Sequence, residues 1–356
     1  MISTPEYVQA LQPYVPGKPI EELERELGIK NSIKLASNEN PLGPSPAAIS
    51  AIKNSFSDLN RYPDGSGFYL KQALSGILSV SEDELILGNG SNQLLNIAVS
   101  TFMQDGDEAV MATPSFVVYS MAVQSIGGIS IQIPLKNYTH DLSAMADAIT
   151  PKTKIIFIAN PNNPTGTINK SDEFREMLER IPDNILVIAD EAYYEYVSDP
   201  DYADSMKYLR SEKNILILRT FSKIYGLAGL RLGYGIAKKE IISEMNKLRE
   251  PFNTNSIAQK AGLAALGDKK HVNRSINANN GGKRFLCFHL DSIGIKYVPT
   301  EANFIYILVE NSTFVYESLL RMGVIVRPMG PKAIRVTIGL PEENRRFTDS
   351  LRKIFE

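Results

Sequence analysis

The sequence predicts an α/β fold, with a mostly parallel central sheet covered by helices and a smaller α+β unit after it. Three features lead there. Continuous apolar runs of strand length recur at Leu85–Leu87, Ala109–Ala112, Ile155–Ala159, Ile185–Ala189 and Ile215–Leu218, with helical periodicity between them. Such runs are apolar on both faces, as strands buried between two helix layers must be. Each run also ends in a polar or glycine-bearing turn: Gly88-Asn-Gly-Ser-Asn, Thr113-Pro-Ser-Phe, Asn160-Pro-Asn-Asn-Pro-Thr-Gly, Asp190-Glu-Ala-Tyr and Thr220-Phe-Ser-Lys. Open α/β sheets bind ligands at the carboxyl ends of their strands, so these turns predict one shared crevice. Beyond Pro251 the pattern changes to long helical stretches followed by short strands.

In chain order, residues 1–30 mix Pro and Gly with one amphipathic stretch, Pro19 to Leu27, and are expected to form an arm ending in a short helix. Residues 31–250 hold the apolar runs and form the expected large domain. Residues 251–356 form the expected small one, with helices over Ser256 to Leu266 and His271 to Ile293. Strands at Phe304–Leu308, Val324–Val326 and Ile334–Ile338 follow, and a closing helix from Glu342 to Phe355. A chain of 356 residues is too long for one small core.

Composition narrows the function. Net charge is -2, with 22% charged residues, which offers neither a basic field for nucleic acid nor a polybasic face for a membrane. No apolar run approaches the roughly 20 residues that cross a bilayer, and the N-terminus lacks the basic and apolar regions of a secretion signal. Cys287 is the one cysteine, so no internal disulfide can form and no thiol cluster can gather a metal. A soluble, cytoplasmic protein acting on small molecules is expected.

Within the crevice, Lys223 follows the run Ile215–Leu218, beside Ser222, the glycines Gly226, Gly229 and Gly233, and Arg231 eight residues on. Alone it reads as a surface lysine. At a buried strand end, however, an amine loses hydration, its pKa falls and it becomes a nucleophile towards an aldehyde. Arg231 is suited to bidentate phosphate contact. Asp190 ends another run and could be a helix cap or the carboxylate that keeps a pyridine nitrogen protonated. Glu191 competes for that role, and the spacing to Tyr193 selects Asp190. Asn163 lies in a turn-forming segment where its amide can donate to a ring oxygen, and the Asn163–Pro164 bond is expected to be cis. Gly90-Ser91-Asn92 opens a helix after a strand, a phosphate-binding position. The segment resembles a dinucleotide fingerprint only in part: Gln93 stands at the third glycine, and Asp105 and Asp107 precede the next strand instead of ending it. NAD is therefore rejected. Phe116 could stack on a flat ring or pack in the core.

Taken together the segments resemble the fold-type I aminotransferases, and within them the histidinol-phosphate aminotransferase group. The resemblance spans nearly the whole chain. It is carried by Tyr14-Val-Pro-Gly-Lys-Pro, Ser37-Asn-Glu-Asn-Pro-Leu-Gly, Arg61-Tyr-Pro-Asp, Gly88-Asn-Gly-Ser-Asn, Asn162-Asn-Pro-Thr-Gly, Ala189-Asp-Glu-Ala-Tyr, Thr220-Phe-Ser-Lys, Gly229-Leu-Arg, Ala302-Asn-Phe-Ile and Ile334-Arg-Val-Thr-Ile-Gly. It implies the cofactor pyridoxal 5'-phosphate, with Lys223 as the Schiff-base lysine and Asp190 at the pyridine nitrogen. Tyr193 and Asn163 would meet the ring's 3-oxygen and Phe116 its face. Ser222, Arg231, Gly90, Ser91 and Asn92 would hold the phosphate. It further implies a homodimer in which Tyr62 reaches the phosphate held by the neighbouring subunit. Arg335 would anchor the substrate, with Tyr14, Asn38 and Arg327 nearby. The implied reaction is ping-pong transamination between histidinol phosphate and 2-oxoglutarate, in histidine biosynthesis. An aromatic amino acid aminotransferase and a decarboxylase of a phosphorylated amino acid share the same features. A non-enzymatic cofactor-sensing regulator would need a DNA-binding segment, for which the sequence has no pattern.

Overall fold

The structure is a computed structural model and describes residues 2–355, so the outermost residues of the expected arm and small domain, 1 and 356, lie outside the described residues. After helices Glu6–Gln9 and Ile20–Leu27, the chain enters a two-residue strand, β1 (Ile33–Lys34). It then builds a seven-stranded sheet from β2 (Leu85–Asn89), β3 (Glu108–Thr113), β4 (Ile129–Pro134), β5 (Thr153–Ala159), β6 (Leu186–Asp190), β7 (Asn214–Thr220) and β8 (Leu232–Ile236). Their order across the sheet is β2-β8-β7-β6-β5-β3-β4. Only β8 runs against its neighbours; the other pairings are parallel. The expected mostly parallel sheet is therefore what forms.

Alternate residues of each strand enter opposite cores. Val110, Ile156, Val187 and Ile217 pack on one face with Leu74, Phe174 and Ala261. Ala109, Met111, Ile155, Phe157, Ile188 and Leu216 pack on the other with Leu94, Leu95 and Ala98. Helix Ser91–Phe102 supplies the last three.

A second, antiparallel sheet follows, made of β9 (Tyr297–Val298), β10 (Phe304–Leu308), β12 (Arg327–Pro328) and β13 (Ala333–Thr337). Its core joins Ile305 of β10 and Val336 of β13 to Leu286, Leu319 and Phe347 from the helices Lys269–Ser292, Ser312–Arg321 and Pro341–Phe355. Two segments link the sheets. Strand β1 pairs in parallel with β11 (Val324–Ile325), and Leu35 joins the core of the small sheet. Helix Ser256–Gly267 instead packs Ala258, Ala261 and Ala265 into the core of the large one.

Two strands of the large sheet were not foreseen. Edge strand β4 is only partly buried along its length, so it lacks a continuous apolar run. Strand β8 reads as loop because it carries Gly233 and Gly235, yet both glycines lie at close approaches, the tighter one at Gly233. A Cβ on Gly233 would sit 2.3 Å from the Ser91 amide nitrogen, and one on Gly235 would meet Ile86, Leu216 and Leu218. The reversed β8 thus presses the Gly90-Ser91 turn against its own first residues.

Because the atom opposite Gly233 is backbone, Gly233→Ala should destabilise the fold by about 1–3 kcal/mol through overpacking. Urea unfolding measures it, and an unchanged midpoint would mean that the turn can move aside.

Candidate active site

The carboxyl ends of β2, β3, β5, β6 and β7 open on one cleft of about 1240 Å³. Because β8 is antiparallel, its amino end reaches the same rim, and Arg231, the residue before Leu232, lines the cleft with them. A smaller cavity of about 500 Å³ beside the C-terminal helix contains none of the motif residues.

Lys223 stands in the turn after β7, half-buried, with Nζ donating to the Ser37 carbonyl at 3.1 Å. Burial, helped by the Arg335 charge, pulls its pKa down to about 8. A substantial neutral fraction therefore exists near neutrality, as a nucleophilic amine requires.

Asp190 is the last residue of β6 and is 6% exposed. Its Oδ2 accepts from the Tyr119 hydroxyl at 2.7 Å and its Oδ1 from the Ala192 amide at 3.2 Å. Burial pushes its pKa up to about 6, and the two hydrogen bonds oppose that rise. At pH 7 it is thus an ionised carboxylate in a dry setting, suited to a cationic N–H group. Burial raises the Tyr119 phenol far above its usual value, so it remains a donor. Tyr193 lies edge-on to Phe304 at 5.1 Å, and its hydroxyl accepts from Asn38 Nδ2 at 2.8 Å. Its pKa is pushed up to about 12 by burial, against the pull of Arg335.

The corner beside Ser91 is built for an anion. Gly90 adopts φ 74°, and a Cβ there would lie 2.6 Å from the Arg231 guanidinium. Arg231, itself at φ 56°, donates to the Ser222 hydroxyl at 3.4 Å. Ser91 and Asn92 begin the 12-residue helix, where free N–H groups and the helix dipole favour negative charge. Phe116 lines the cleft, half-buried, with its ring edge-on to Tyr119 at 5.6 Å.

Arg335 reaches in from β13, buried, with one nitrogen on the Ala36 carbonyl at 2.8 Å and another on Asn163 Oδ1. Its Nε has no acceptor among the described residues. Tyr14 and Arg327 form the outer wall, the guanidinium 5.7 Å from the ring centre, and Arg327 also donates to the Val15 carbonyl. Asn38, at φ 55°, lines the cleft, but its amide is engaged by Tyr193 and Thr337.

Of the sequence-assigned site residues, Gly90 and Tyr62 are not among those lining the cleft. Gly90 still abuts the Arg231 guanidinium, whereas Tyr62 is 82% exposed, with its ring stacked on Phe252 at 4.8 Å. Lys332, which lies between Arg327 and Arg335 in the sequence, is exposed and also outside the cleft. Glu191 is accounted for elsewhere: fully buried, it takes two hydrogen bonds from Arg219 at 2.8 and 2.9 Å. The expected cis bond is a correction. Asn163–Pro164 is not among the cis peptides, which are Thr113–Pro114 and Asn160–Pro161. The Asn163 turn is closed by hydrogen bonds from the Gly166 amide to the Asn162 carbonyl and from the Asn162 amide to the Thr167 carbonyl, which need no cis bond. Tyr119 went unrecognised in the sequence because, among Val117, Val118, Met121 and Ala122, it looks like one more core aromatic.

The family profile described as "Aminotransferase class I and II" matches residues 30–351. A histidinol-phosphate aminotransferase of Moorella thermoacetica is 49% identical over 98% of this chain and 92% of its own length. Histidinol-phosphate aminotransferase 1 of Nitrosococcus oceani is 47% identical, covering 98% and 96%. Among solved structures, histidinol-phosphate aminotransferase from Sinorhizobium meliloti, in complex with pyridoxal-5'-phosphate, superposes with a TM-score of 0.90. It is 25% identical and covers 98% of this chain and 97% of its own. A profile spanning most of the chain and relatives approaching half identity leave one conclusion: the chain belongs to the class I and II aminotransferase family.

Proposed function

We propose that this protein is a transferase that exchanges the amino group of histidinol phosphate with 2-oxoglutarate, as its similarly named relatives indicate, and so serves histidine biosynthesis. The observation that carries the reading is the pairing, in one cleft, of a partly neutral Lys223 amine with a buried, ionised Asp190.

The cleft fits pyridoxal 5'-phosphate. Asp190 offers its charge where a ring nitrogen would need it, Gly90 and Arg231 leave a cradle that a Cβ would fill, and Asn92 Oδ1 is buried without a partner. When bound, the cofactor supplies an aldehyde that condenses with amines and a protonated ring that withdraws electrons. Ser222, Arg231 and the Gly90-Ser91-Asn92 turn hold its phosphate. Asp190 would keep the proton on the ring nitrogen, while Tyr193 and Asn163 would serve the 3-oxygen and Phe116 would cover the ring. The Lys223 amine would act on the donor's α-proton, as base and then as acid. Arg335 gives up Asn163 to meet the anionic group of the substrate, with Tyr14, Asn38 and Arg327 lining the outer wall. The two half-reactions alternate on the same residues, which makes the kinetics ping-pong.

A homodimer completes the reading, with Tyr62 passing to the partner's phosphate site. Its exposure, and that of Phe56, Leu59 and Tyr69 close by in sequence, supports such an interface. The division into arm (1–30), large domain (31–250) and small domain (251–356) follows the two sheets, with β1 and helix Ser256–Gly267 crossing it. A cytoplasmic setting is part of the same reading, Cys287 being the one cysteine. Among the described residues no helix is long and apolar enough to cross a membrane.

Lys223→Ala should abolish both turnover and the visible absorbance of the loaded protein; retention of both would end this assignment. In wild-type protein, histidinol phosphate should bleach that absorbance faster than phenylalanine or threonine phosphate, and preference for either of those would replace the substrate. Because Lys223 must be neutral to react, capture of added cofactor by cofactor-free protein should accelerate from pH 6 towards its pKa of about 8 and then level off. A flat profile would contradict the role of its amine. Tyr119→Phe keeps the ring but removes a hydrogen bond to a charged acceptor, so the Asp190 titration, followed by carboxyl NMR in cofactor-free protein, should rise by about one pH unit or more. An unmoved titration would remove Tyr119 from that role. Sedimentation should find a dimer, and mixing Lys223→Ala with Tyr62→Phe subunits should recover activity that neither has alone. Failure of the mixture would place Tyr62 outside the site.

A further inference from the structure

Asn40 belongs to the segment Ser37-Asn-Glu-Asn-Pro-Leu-Gly but has no part in the site as assigned above. It is buried and its amide is fully engaged. Nδ2 donates to the Ile224 carbonyl at 2.7 Å and to the Ser275 hydroxyl at 2.9 Å, while Oδ1 accepts from the Leu42 amide at 3.0 Å. Ile224 directly follows Lys223, so the first of these bonds acts on the backbone that carries the lysine. The same segment grips that turn at two further points. The Ser37 carbonyl receives Lys223 Nζ, and Gly226, at φ 68°, lies so near the Gly43 carbonyl that a Cβ would be 2.2 Å from its oxygen. His271 Nε2 in turn sits 3.0 Å from that oxygen. Within the turn itself, the Gly226 amide donates to the Lys223 carbonyl and the Leu227 amide to that of Phe221, which leaves the Ile224 carbonyl to Asn40.

We propose that Asn40 is a positioning residue for Lys223, fixing the height of the lysine turn over the cleft through the Ile224 carbonyl. The inference rests on Lys223 being the reacting amine. Without the Asn40 donor, the buried Ile224 carbonyl either stays unsatisfied or draws the turn towards another donor, and both outcomes move the amine. Proton transfer and cofactor attachment depend on that position, whereas substrate binding depends on Arg335 and the outer wall.

The test compares Asn40→Ala with Ser275→Ala in the loaded enzyme, since the second removes the other acceptor and leaves the bond to Ile224. Asn40→Ala should lower kcat by about tenfold or more with KM changed by less than about twofold, because small misplacements of reacting groups are costly. The rate at which hydroxylamine strips the cofactor, a readout independent of turnover, should change alongside kcat. Ser275→Ala should leave kcat and stripping near wild type even where its melting temperature falls as far. Wild-type kcat and stripping in Asn40→Ala would overturn the proposal, as would losses in both variants that follow melting temperature alone. Should Asn40→Ala not fold, Asn40→Asp keeps the shape and an acceptor for Leu42 but loses the neutral donor, and is judged by the same criteria. Failure of Lys223 itself shows separately, as normal absorbance in Lys223→Ala.

Discussion

The site depends on the register between β6 and β7. Asp190 is level with Leu218, and the Glu191 amide donates to the Leu218 carbonyl. Strand β7 continues two residues further, to Thr220, before the chain turns into Ser222 and Lys223. At about 3.3 Å per residue, that extension lifts the lysine turn roughly 7 Å above the carboxylate. Lys223 is instead held by the Ser37 carbonyl and Asp190 by Tyr119 and the Ala192 amide, with no ion pair between them among the described residues. If they met directly, the amine would be held protonated and the carboxylate neutralised, and neither could act on a ligand. Instead each keeps a buried group's altered pKa, the lysine low and the aspartate high, for the same reason of lost hydration.

A buried pair at the neighbouring positions helps to hold that register. Arg219 in β7 and Glu191 after β6 form a two-pronged ion pair away from solvent, and the guanidinium lies 3.6 Å from the centre of the Tyr194 ring. Such a pair is weak evidence for stability, since desolvation offsets most of its attraction. Its geometry is another matter: Arg219 Nε and a terminal nitrogen converge on one Glu191 oxygen while the Ser205 amide donates to the other, so the carboxylate is held from two sides. Of the adjacent acids Asp190 and Glu191, one therefore ties the strands together and the other faces the cleft.

That division also explains what the sequence made legible. Apolar runs marked the buried parallel strands, and the turns that end them named most of the cleft residues, because local chemistry determines both. Strand β8 was hidden because its glycines answer to contacts with Ser91, Ile86 and Leu218, which come from elsewhere in the chain. Tyr119 was hidden for a similar reason: its ring stacks on Phe157 as a core aromatic would, and only the distant Asp190 gives its hydroxyl a purpose. The Asn160–Gly166 segment was recognised as a special turn, but the cis bond falls at Pro161, three residues before the expected place. Two prolines in one segment give the same local signal, and the choice between them is made by tertiary contacts.

The small sheet enters the site through two neighbouring stretches of chain. Leu35 receives the Thr337 amide on its carbonyl, and the next residues present the Ala36 carbonyl to Arg335, the Ser37 carbonyl to Lys223 and the Asn38 amide to Tyr193. Arg335 from the small sheet and Lys223 and Tyr193 from the large one thus share one backbone segment as their partner. Arg335 shows what this arrangement favours. Its planar head is buried with only part of its donor capacity used, and a buried donor without an acceptor costs about 1–3 kcal/mol. An anionic group taking the place of Asn163 would meet the terminal nitrogen that this amide now occupies, next to the unpartnered Nε. A guanidinium so held presents its N–H groups in one plane, a geometry that complements a planar or multidentate anion better than a single acceptor.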